Sequence, residues 1–378
     1  MLKRTYKDTG LEISTLGLGC MRLPKVSTEG EEIDFEKAQE IVDYAYANGI
    51  NYYDTAYIYH GGQSEEFIGG ALKKYPRDTY NLVTKMPIWR VEKKEDVEQI
   101  FNEQLKNCQV EYFDFYLCHA INEDNFKQYI EYGAYEFLSK MKEEGKIRYL
   151  GFSFHDKPHV MENVCDTYKW DFAQIQLNYL DWEMQDAKRQ YEILEERGIP
   201  CIVMEPVRGG VLANPCEASN ELFKEARPDK SIASWAIRYA ASLPNVLTVL
   251  SGMSNLDQIK DNVETMTHFE PLTEKDHETI GRALEAYKKK DTVPCTGCRY
   301  CMDCPLGVDI PEMFKIYNDY AVSKNKDQYH VAYHQTDEGL RVHHCIACGK
   351  CTTHCPQSIQ IPEKMKMIKD LIEKLFKD

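Results

Sequence analysis

The 378-residue chain lacks any run of about 20 apolar residues, the length a helix needs to cross a bilayer, although 43% of it is hydrophobic. No membrane span is expected. Its first residues, Met1-Leu2-Lys3-Arg4-Thr5-Tyr6, lack the apolar stretch of a secretory leader, so a cytoplasmic location is the expectation. Basic charge is also scarce. There are 46 Lys and Arg against 61 Asp and Glu, a net charge of −15, whereas sequence-independent nucleic-acid binding needs a basic patch. No nucleic-acid partner is expected, and the acidity reads as solubility. Finally, no G-x-G-x-x-G run follows the first predicted strand. Leu16-Gly17-Leu18-Gly19-Cys20 ends in the wrong residues for one, which argues against an open, doubly wound dinucleotide fold.

Cysteine, by contrast, is abundant, with 14 residues. Without an export signal these point to metal or redox chemistry rather than disulfides. Cys20, Cys108, Cys118, Cys165, Cys201 and Cys216 are scattered and read as small buried hydrophobes. The others form two runs, Cys295-x-x-Cys298-x-x-Cys301-x-x-Cys304-Pro305 and Cys345-x-x-Cys348-x-x-Cys351-x-x-x-Cys355-Pro356. Three thiolates at two-residue gaps wrap one 4Fe–4S cubane, and a fourth followed by proline reaches the partner cluster in bacterial two-cluster ferredoxins. Structural zinc is the rival, but four cysteines within about ten residues do not easily close one tetrahedron, whereas a cubane is large enough to be wrapped. The first run has two residues, not three, before its last cysteine, which leaves the destination of Cys304 open. The runs also form a weak repeat: Cys304-Pro305 through Ile310-Pro311 parallels Cys355-Pro356 through Ile361-Pro362.

Ahead of these runs, β-rich segments at 15–19, 51–55, 81–85, 113–119, 149–153, 172–178, 201–205 and 247–251 alternate with amphipathic helical patterns such as 35–47, 65–74, 94–107 and 183–196. Eight strand–helix units in about 250 residues fit a closed (β/α)8 TIM barrel. The expected architecture is therefore α/β: a barrel over 1–291, then a small α-rich, ferredoxin-like dicluster domain over 292–378. The segment 121–135, with Tyr129, Tyr132 and Tyr135, reads as a long loop giving the substrate pocket a partly aromatic wall.

Barrel enzymes place their chemistry at the C-terminal ends of the strands. There stand Asp54, ending the second strand, Tyr59 in the loop after it, Lys85 ending the third and His119 ending the fourth. Each alone has a dull reading as packing or surface. As a set, with Gly49-Ile50-Asn51-Tyr52-Tyr53-Asp54-Thr55-Ala56 followed by Tyr59 and Glu66, they resemble the tetrad of the aldo/keto reductases. The resemblance covers roughly residues 1–267, and the cysteine runs match a subgroup with a C-terminal two-cluster domain. It implies a catalytic set in which Lys85, held by Asp54, lowers the pKa of Tyr59 from about 10. Tyr59 then protonates the developing alkoxide, and His119 orients the carbonyl. The hydride must come from a cofactor.

The resemblance also implies a nicotinamide site: Ser153 and Gln174 on the carboxamide, Met204 where many relatives stack an aromatic ring, and Gly19, Cys20 and Met21, with Asp54, close by. Phe154 stands where many relatives carry Asn, and His155 is its candidate substitute. At the adenosine end, Ser251, Gly252, Ser254, Gln258 and Asn262 fall on the binding segment. Gly252 and Gln258 stand where relatives carry cations for the 2′-phosphate of NADPH, leaving Lys260 and Arg282 as substitutes. Without those charge-assisted hydrogen bonds the reading leans to NADH over NADPH. No flavin signature is present, although coupling a two-electron hydride to one-electron clusters calls for a flavin or another one-electron step, and a barrel does not need a signature to hold one. The leading reading is a cytoplasmic, NAD(P)H-dependent oxidoreductase that interconverts a small-molecule carbonyl and an alcohol. Its two 4Fe–4S clusters either relay electrons, for example with a ferredoxin or flavodoxin-type carrier, or are structural or redox-sensing. The alternative is an electron-transfer protein whose barrel is a docking module without reductase activity.

Overall fold

The computed structural model describes residues 1–27 and 30–376. The chain begins with an antiparallel hairpin of β1 (Lys3–Tyr6) and β2 (Leu11–Ser14), turned at left-handed Gly10. The sequence reading, whose first strand began at residue 15, did not include this hairpin. Eight strands follow: β3 (Leu16–Gly19), β4 (Tyr52–Asp54), β5 (Asn81–Met86), β6 (Phe113–Ile121), β7 (Ile147–Phe154), β8 (Phe172–Gln176), β9 (Cys201–Met204) and β10 (Val246–Ser251). They close a parallel barrel in the order β10-β3-β4-β5-β6-β7-β8-β9. All eight expected strands are present, and the barrel stands.

The strands are short and buried on both faces, β5 along its whole length, as parallel barrel strands must be. Inside, Tyr52, Val83, Phe115, Phe172, Ile202 and Leu250 join Tyr6 and Ile13 of the hairpin in one core cluster. The Tyr6 hydroxyl donates to the carbonyl of Asp171, just before β8, at 2.8 Å, and its ring meets Phe115 edge-on at 5.5 Å. The hairpin thus plugs the end where the strands start. The candidate chemistry lies at the other end.

Two helical expectations change. Segment 121–135 is not a loop: Asn122 caps a helix, Glu123–Glu131, by accepting from the Asn125 N–H. Its Tyr129 is buried and donates to the carbonyls of Met86 and His119, while Tyr135 stacks on Tyr168 at 3.9 Å. These two rings brace the scaffold instead of walling a pocket. The pattern over 183–196 splits into Asp181–Met184 and Ala187–Glu196, interrupted at Asp186 with φ 53°.

The chain divides into two compact units, Met1–Val207 with Ala233–Glu274, and Arg208–Ile232 with Lys275–Asp378. The second therefore takes in a stretch from between β9 and β10, well ahead of Thr292. That stretch is held within its unit by specific bonds. Arg227 pairs with Asp276 through two contacts of 2.9 Å, and the Ser219 hydroxyl donates to the Ala283 carbonyl at 2.8 Å. Farther on, helices Ile310–Ser323, Lys326–Gln335 and Ile361–Leu375 pack Phe314, Tyr317, Tyr329, Tyr333, Ile361 and Ile368 into a core that includes Cys301 and Cys351.

The weak cysteine repeat is a repeat of backbone as well. Gly297 and Ala347, each two residues after the first cysteine of its run, are left-handed, as are Arg299 and Gly349 two residues later. Gly307 and Ser358 are left-handed three residues after Cys304 and Cys355, and each donates its N–H to that cysteine's carbonyl at 3.0 Å. Both segments then enter a helix through Ile-Pro-Glu with proline in its first turn, where its missing N–H costs nothing. Among the described residues no helix is long and apolar enough to cross a membrane.

The plug gives a stability test. Tyr6→Ala should cost about 3–5 kcal/mol, as loss of a buried aromatic does, and Tyr6→Phe about 1 kcal/mol for the hydrogen bond. Denaturant unfolding followed by near-UV dichroism would read both, and equal losses would put the effect in the hydroxyl alone.

Candidate functional site

β3 and β4 bring Gly19 beside Asp54, and β4 and β5 set Asp54 opposite Val83, so Lys85 lies two residues farther along. Lys85 and Asp54 are both buried. The Lys85 ammonium donates to Asp54 Oδ1 at 2.7 Å, to the Thr55 carbonyl at 2.6 Å and to the Tyr59 hydroxyl at 3.2 Å. An ammonium has three N–H donors, and these three acceptors match them. Burial pushes the Asp54 carboxyl above the usual carboxylate range, and the adjacent Lys85 pulls it back down. The pair is an ion pair held against that penalty by its short contact. Because the Tyr59 oxygen accepts in this contact, its own proton is not committed to it.

His119 completes the set. Its ring stands edge-on to Tyr59, centroids 6.2 Å apart. Burial first, then the charges of Lys85 and His155, hold it well below the ordinary histidine value, so it works as a neutral imidazole. The residues after Tyr59 and His119 share a feature. His60 (φ 53°) and Ala120 (φ 51°) are both left-handed without being glycine, a conformation costing about 1–3 kcal/mol. At Ala120 the β6–β7 register shifts between Cys118 and Ile121, and the Ala120 N–H donates to Ser153 Oγ at 2.7 Å. Such a bulge re-aims the side chain beside it, here His119.

The expected nicotinamide residues converge. Ser153 pairs in register with Gln174, and Gln174 Nε2 lies 3.7 Å from Met204 Sδ. Gln174 Oε1 is buried with no hydrogen-bond partner among the described residues. A buried amide oxygen so placed fits a ligand amide N–H. Phe154 is buried against Phe152, so at that position a polar contact is replaced by core. His155, pushed down to about 4 by burial, is the neighbouring polar group. Cys20 is buried and Met21 partly so, and burial raises the Cys20 thiol far above its ordinary value. Farther out, Ser251 Oγ accepts from Asn262 at 2.9 Å, and Ser254 donates to the Arg22 carbonyl at 2.8 Å. The Gln258 side chain folds back onto the Ser254 N–H at 2.7 Å, and a Cβ at Gly252 would lie 3.0 Å from the Arg22 side chain. Lys260 is exposed.

Three features were not foreseen. Trp89, 40% exposed, lies over His119 with ring centroids 5.0 Å apart; its signal was a large aromatic just past the end of a barrel strand. Arg22 bonds Glu205 at 2.9 Å, tying the segment after β3 to the one after β9. Glu65, not the exposed Glu66, supports the site from behind. It is fully buried and accepts from Thr84 and Gln104, while Gln104 also donates to the Lys85 carbonyl at 3.0 Å. The buried face of that helix, which carries Glu65, was the readable signal.

In the second unit the thiols sort into two sets across the runs. Cys301 is raised by burial and by the neighbouring Cys298, Cys295 and Cys355. Cys351 is raised by burial, and Cys345, Cys304 and Cys348 add to it. Cys304, Cys345, Cys348 and Cys351 line one largely apolar cavity. Among the described residues no three His, Cys, Asp or Glu groups converge as around a single ion. Gly209 (φ 63°) abuts the first set's loop: a Cβ there would lie 2.2 Å from the carbonyl of Thr296, beside Cys295.

Two measurements check this geometry. Gly209→Ala should displace the 295–298 loop, so anaerobically reconstituted protein should fall from about eight irons toward about four per chain, read by iron and sulfide assay. For His155, the folded value of about 4 lies below the unfolded value of about 6.5. The unfolded chain then binds more protons, and stability is lost as pH falls from about 6.5 toward 4. His155→Asn should flatten that part of the melting-temperature profile.

Residues 15–285 match the family model described as "Aldo/keto reductase family", and residues 294–359 the one described as "4Fe-4S dicluster domain". The chain is 28% identical over 323 residues to "Uncharacterized oxidoreductase YqkF" of Bacillus subtilis, covering 77% of this chain and 98% of that protein. It is 29% identical over 297 residues to "L-galactose dehydrogenase" of Arabidopsis thaliana, covering 73% and 91%. Among solved structures, an aldo-keto reductase from Bacillus halodurans in its holo form superposes with a TM-score of 0.60 at 28% identity, covering 75% of this chain and 96% of that one.

Proposed function

We propose that this chain, which belongs to the aldo/keto reductase family and carries a 4Fe–4S dicluster domain, interconverts a small-molecule aldehyde or ketone and its alcohol in the cytoplasm. The observation that carries this reading is the Lys85 ammonium within hydrogen-bonding reach of both Asp54 and Tyr59. A bound reduced nicotinamide supplies the hydride. The chain's own residues do the rest. Lys85 stabilises negative charge on the Tyr59 oxygen, which eases loss of its proton to the carbonyl oxygen as that becomes an alkoxide. Asp54 keeps the ammonium in place. His119, held neutral, donates one hydrogen bond from its ring N–H to the same oxygen and orients it. Trp89 shields that point from water, strengthening each of these contacts.

Ser153 and Gln174 would hold the carboxamide of the nicotinamide, with Met204 against its ring and Gly19, Cys20 and Met21 along its edge. Ser251, Gly252, Ser254, Gln258 and Asn262 would face the adenosine end. With Gln258 turned back on Ser254 and no cation at Gly252, NADH is favoured over NADPH. Related proteins differ on this point. One relative is named "NADH-specific methylglyoxal reductase", 23% identical over 312 residues.

The eight run cysteines would hold two clusters in the crossed sets described above, relaying single electrons. The competing reading, an electron-transfer protein whose barrel is inert, leaves the Lys85–Asp54–Tyr59 contacts without purpose. One pair of experiments separates them. In anaerobically purified protein, Tyr59→Phe should lower kcat for carbonyl reduction at least about a hundredfold, with cofactor affinity unchanged by fluorescence titration. Unaltered reduction would refute the reductase reading. The same protein should show kcat/KM higher with NADH than with NADPH, and reversal of that order would refute the cofactor preference.

A further inference from the structure

The two thiol sets differ in their surroundings. The loops carrying Cys295, Cys298, Cys301 and Cys355 are backed by buried Thr296 and Gln357, and Gln357 accepts from the fully buried Arg208 at 3.4 Å. The set of Cys304, Cys345, Cys348 and Cys351 opens outward. Cys348 is exposed, and Leu306 and Ile346, which line the same cavity, are 42% and 67% exposed. Ile346 is the most exposed of the large hydrophobic side chains described. Apolar side chains left in water beside a redox site mark a contact surface.

Charge separates this surface from the rest of the chain. Against a net charge of −15, the second cysteine run and the helix after it, 345–375, carry five cations, Lys350, Lys364, Lys366, Lys369 and Lys374, and three acids, Glu363, Asp370 and Glu373. Lys350 lies within the second cysteine run and is exposed. Lys364 follows Ile361 and Pro362, which line the cavity, in the same helix. Asp303, beside Cys304, is an acidic side chain at this face, with His354 Nε2 3.8 Å from its carboxylate. A small apolar centre with a basic rim is the pattern of a transient interface steered by charge.

We infer that this face is the docking surface for a small acidic protein carrying a one-electron centre, with Ile346 and Leu306 at the middle of the contact and Lys350 and Lys364 at its rim. The inference rests on the reading that the dicluster domain relays electrons. Each encounter moves one electron and no atoms: the carrier's centre is oxidised by one and this chain is reduced by one, or the reverse. An acidic partner would otherwise be repelled by a chain of this net charge, so the local basic stretch decides where it lands.

The test uses anaerobic, full-length, cluster-loaded protein and a dithionite-reduced acidic [2Fe–2S] ferredoxin as the probe, in stopped flow, with reduced methyl viologen as a small-molecule control. The ferredoxin rate constant should fall about fivefold or more between about 0.05 and 0.3 M salt, since opposite charges are being screened. Lys350→Glu and Lys364→Glu should each slow it about three- to tenfold, and Ile346→Asp by a similar factor. Lys326→Glu, on another helix, should leave it unchanged. A wild-type rate that is indifferent to salt or rises with it overturns the proposal, as does equal slowing by Lys326→Glu. Because the salt series uses the unaltered protein, a variant that loses clusters cannot shelter the idea. Failure of methyl viologen to reduce the protein would refute the relay reading instead, and the two failures are therefore distinct.

Discussion

A buried ammonium and a buried carboxylate in contact hold the barrel's chemistry in place. Lys85 and Asp54 come from adjacent strands, and each would be costly to bury alone. Together, with the Thr55 carbonyl and the Tyr59 hydroxyl taking the remaining donors, they form a polar group whose geometry cannot vary much. The surroundings reinforce it: the buried Glu65, Thr84 and Gln104 grip the backbone of β5 from behind. Such a satisfied network gains rigidity from the same low dielectric that makes an unpaired group expensive. The strain at His60 and Ala120 is tolerable because this scaffold is stiff.

The second unit solves a different problem. A thiol set must surround a body several ångströms across, so its loops need chain reversals between cysteines. Left-handed residues recur at matched positions in both runs, and two of them are Arg299 and Ala347 instead of glycine. The repeat therefore lies in conformation more than in side chains. The extra residue before Cys355, compared with Cys304, does not disturb the turn that follows, since both cysteines accept the same hydrogen bond three residues on. The two runs share one small core, where Cys301 and Cys351 are buried beside the aromatic and aliphatic residues of three helices.

Hydride chemistry and single-electron chemistry need different settings. In the proposed reaction, the buried barrel site and an imidazole held neutral suit proton transfer alongside a two-electron step. The outward thiol set is partly wet and apolar, which suits brief contact with another protein. The proposed reductase and cluster sites thus differ in their demands on water, and their residues fall in different compact units.

The sequence by itself determined the barrel and all eight of its strands and displayed the spacing of the eight run cysteines, because these rest on local period and on spacing, which a chain displays without being folded. The set of Asp54, Tyr59, Lys85 and His119 came from a family resemblance, and the fold brings its members together. The sequence could not reveal that segment 121–135 contains a helix, Glu123–Glu131, whose Tyr129 braces the His119 carbonyl. Nor could it show that Glu65 rather than Glu66 supports Lys85, since adjacent residues differ only in which face they turn inward. The Trp89–His119 contact, the Arg22–Glu205 bridge and the cavity that Cys304 shares with Cys345, Cys348 and Cys351 join groups from distant parts of the chain. Only tertiary structure decided these, because pairing across the barrel or across two runs depends on closure in space, and closure is not written in any local window of residues.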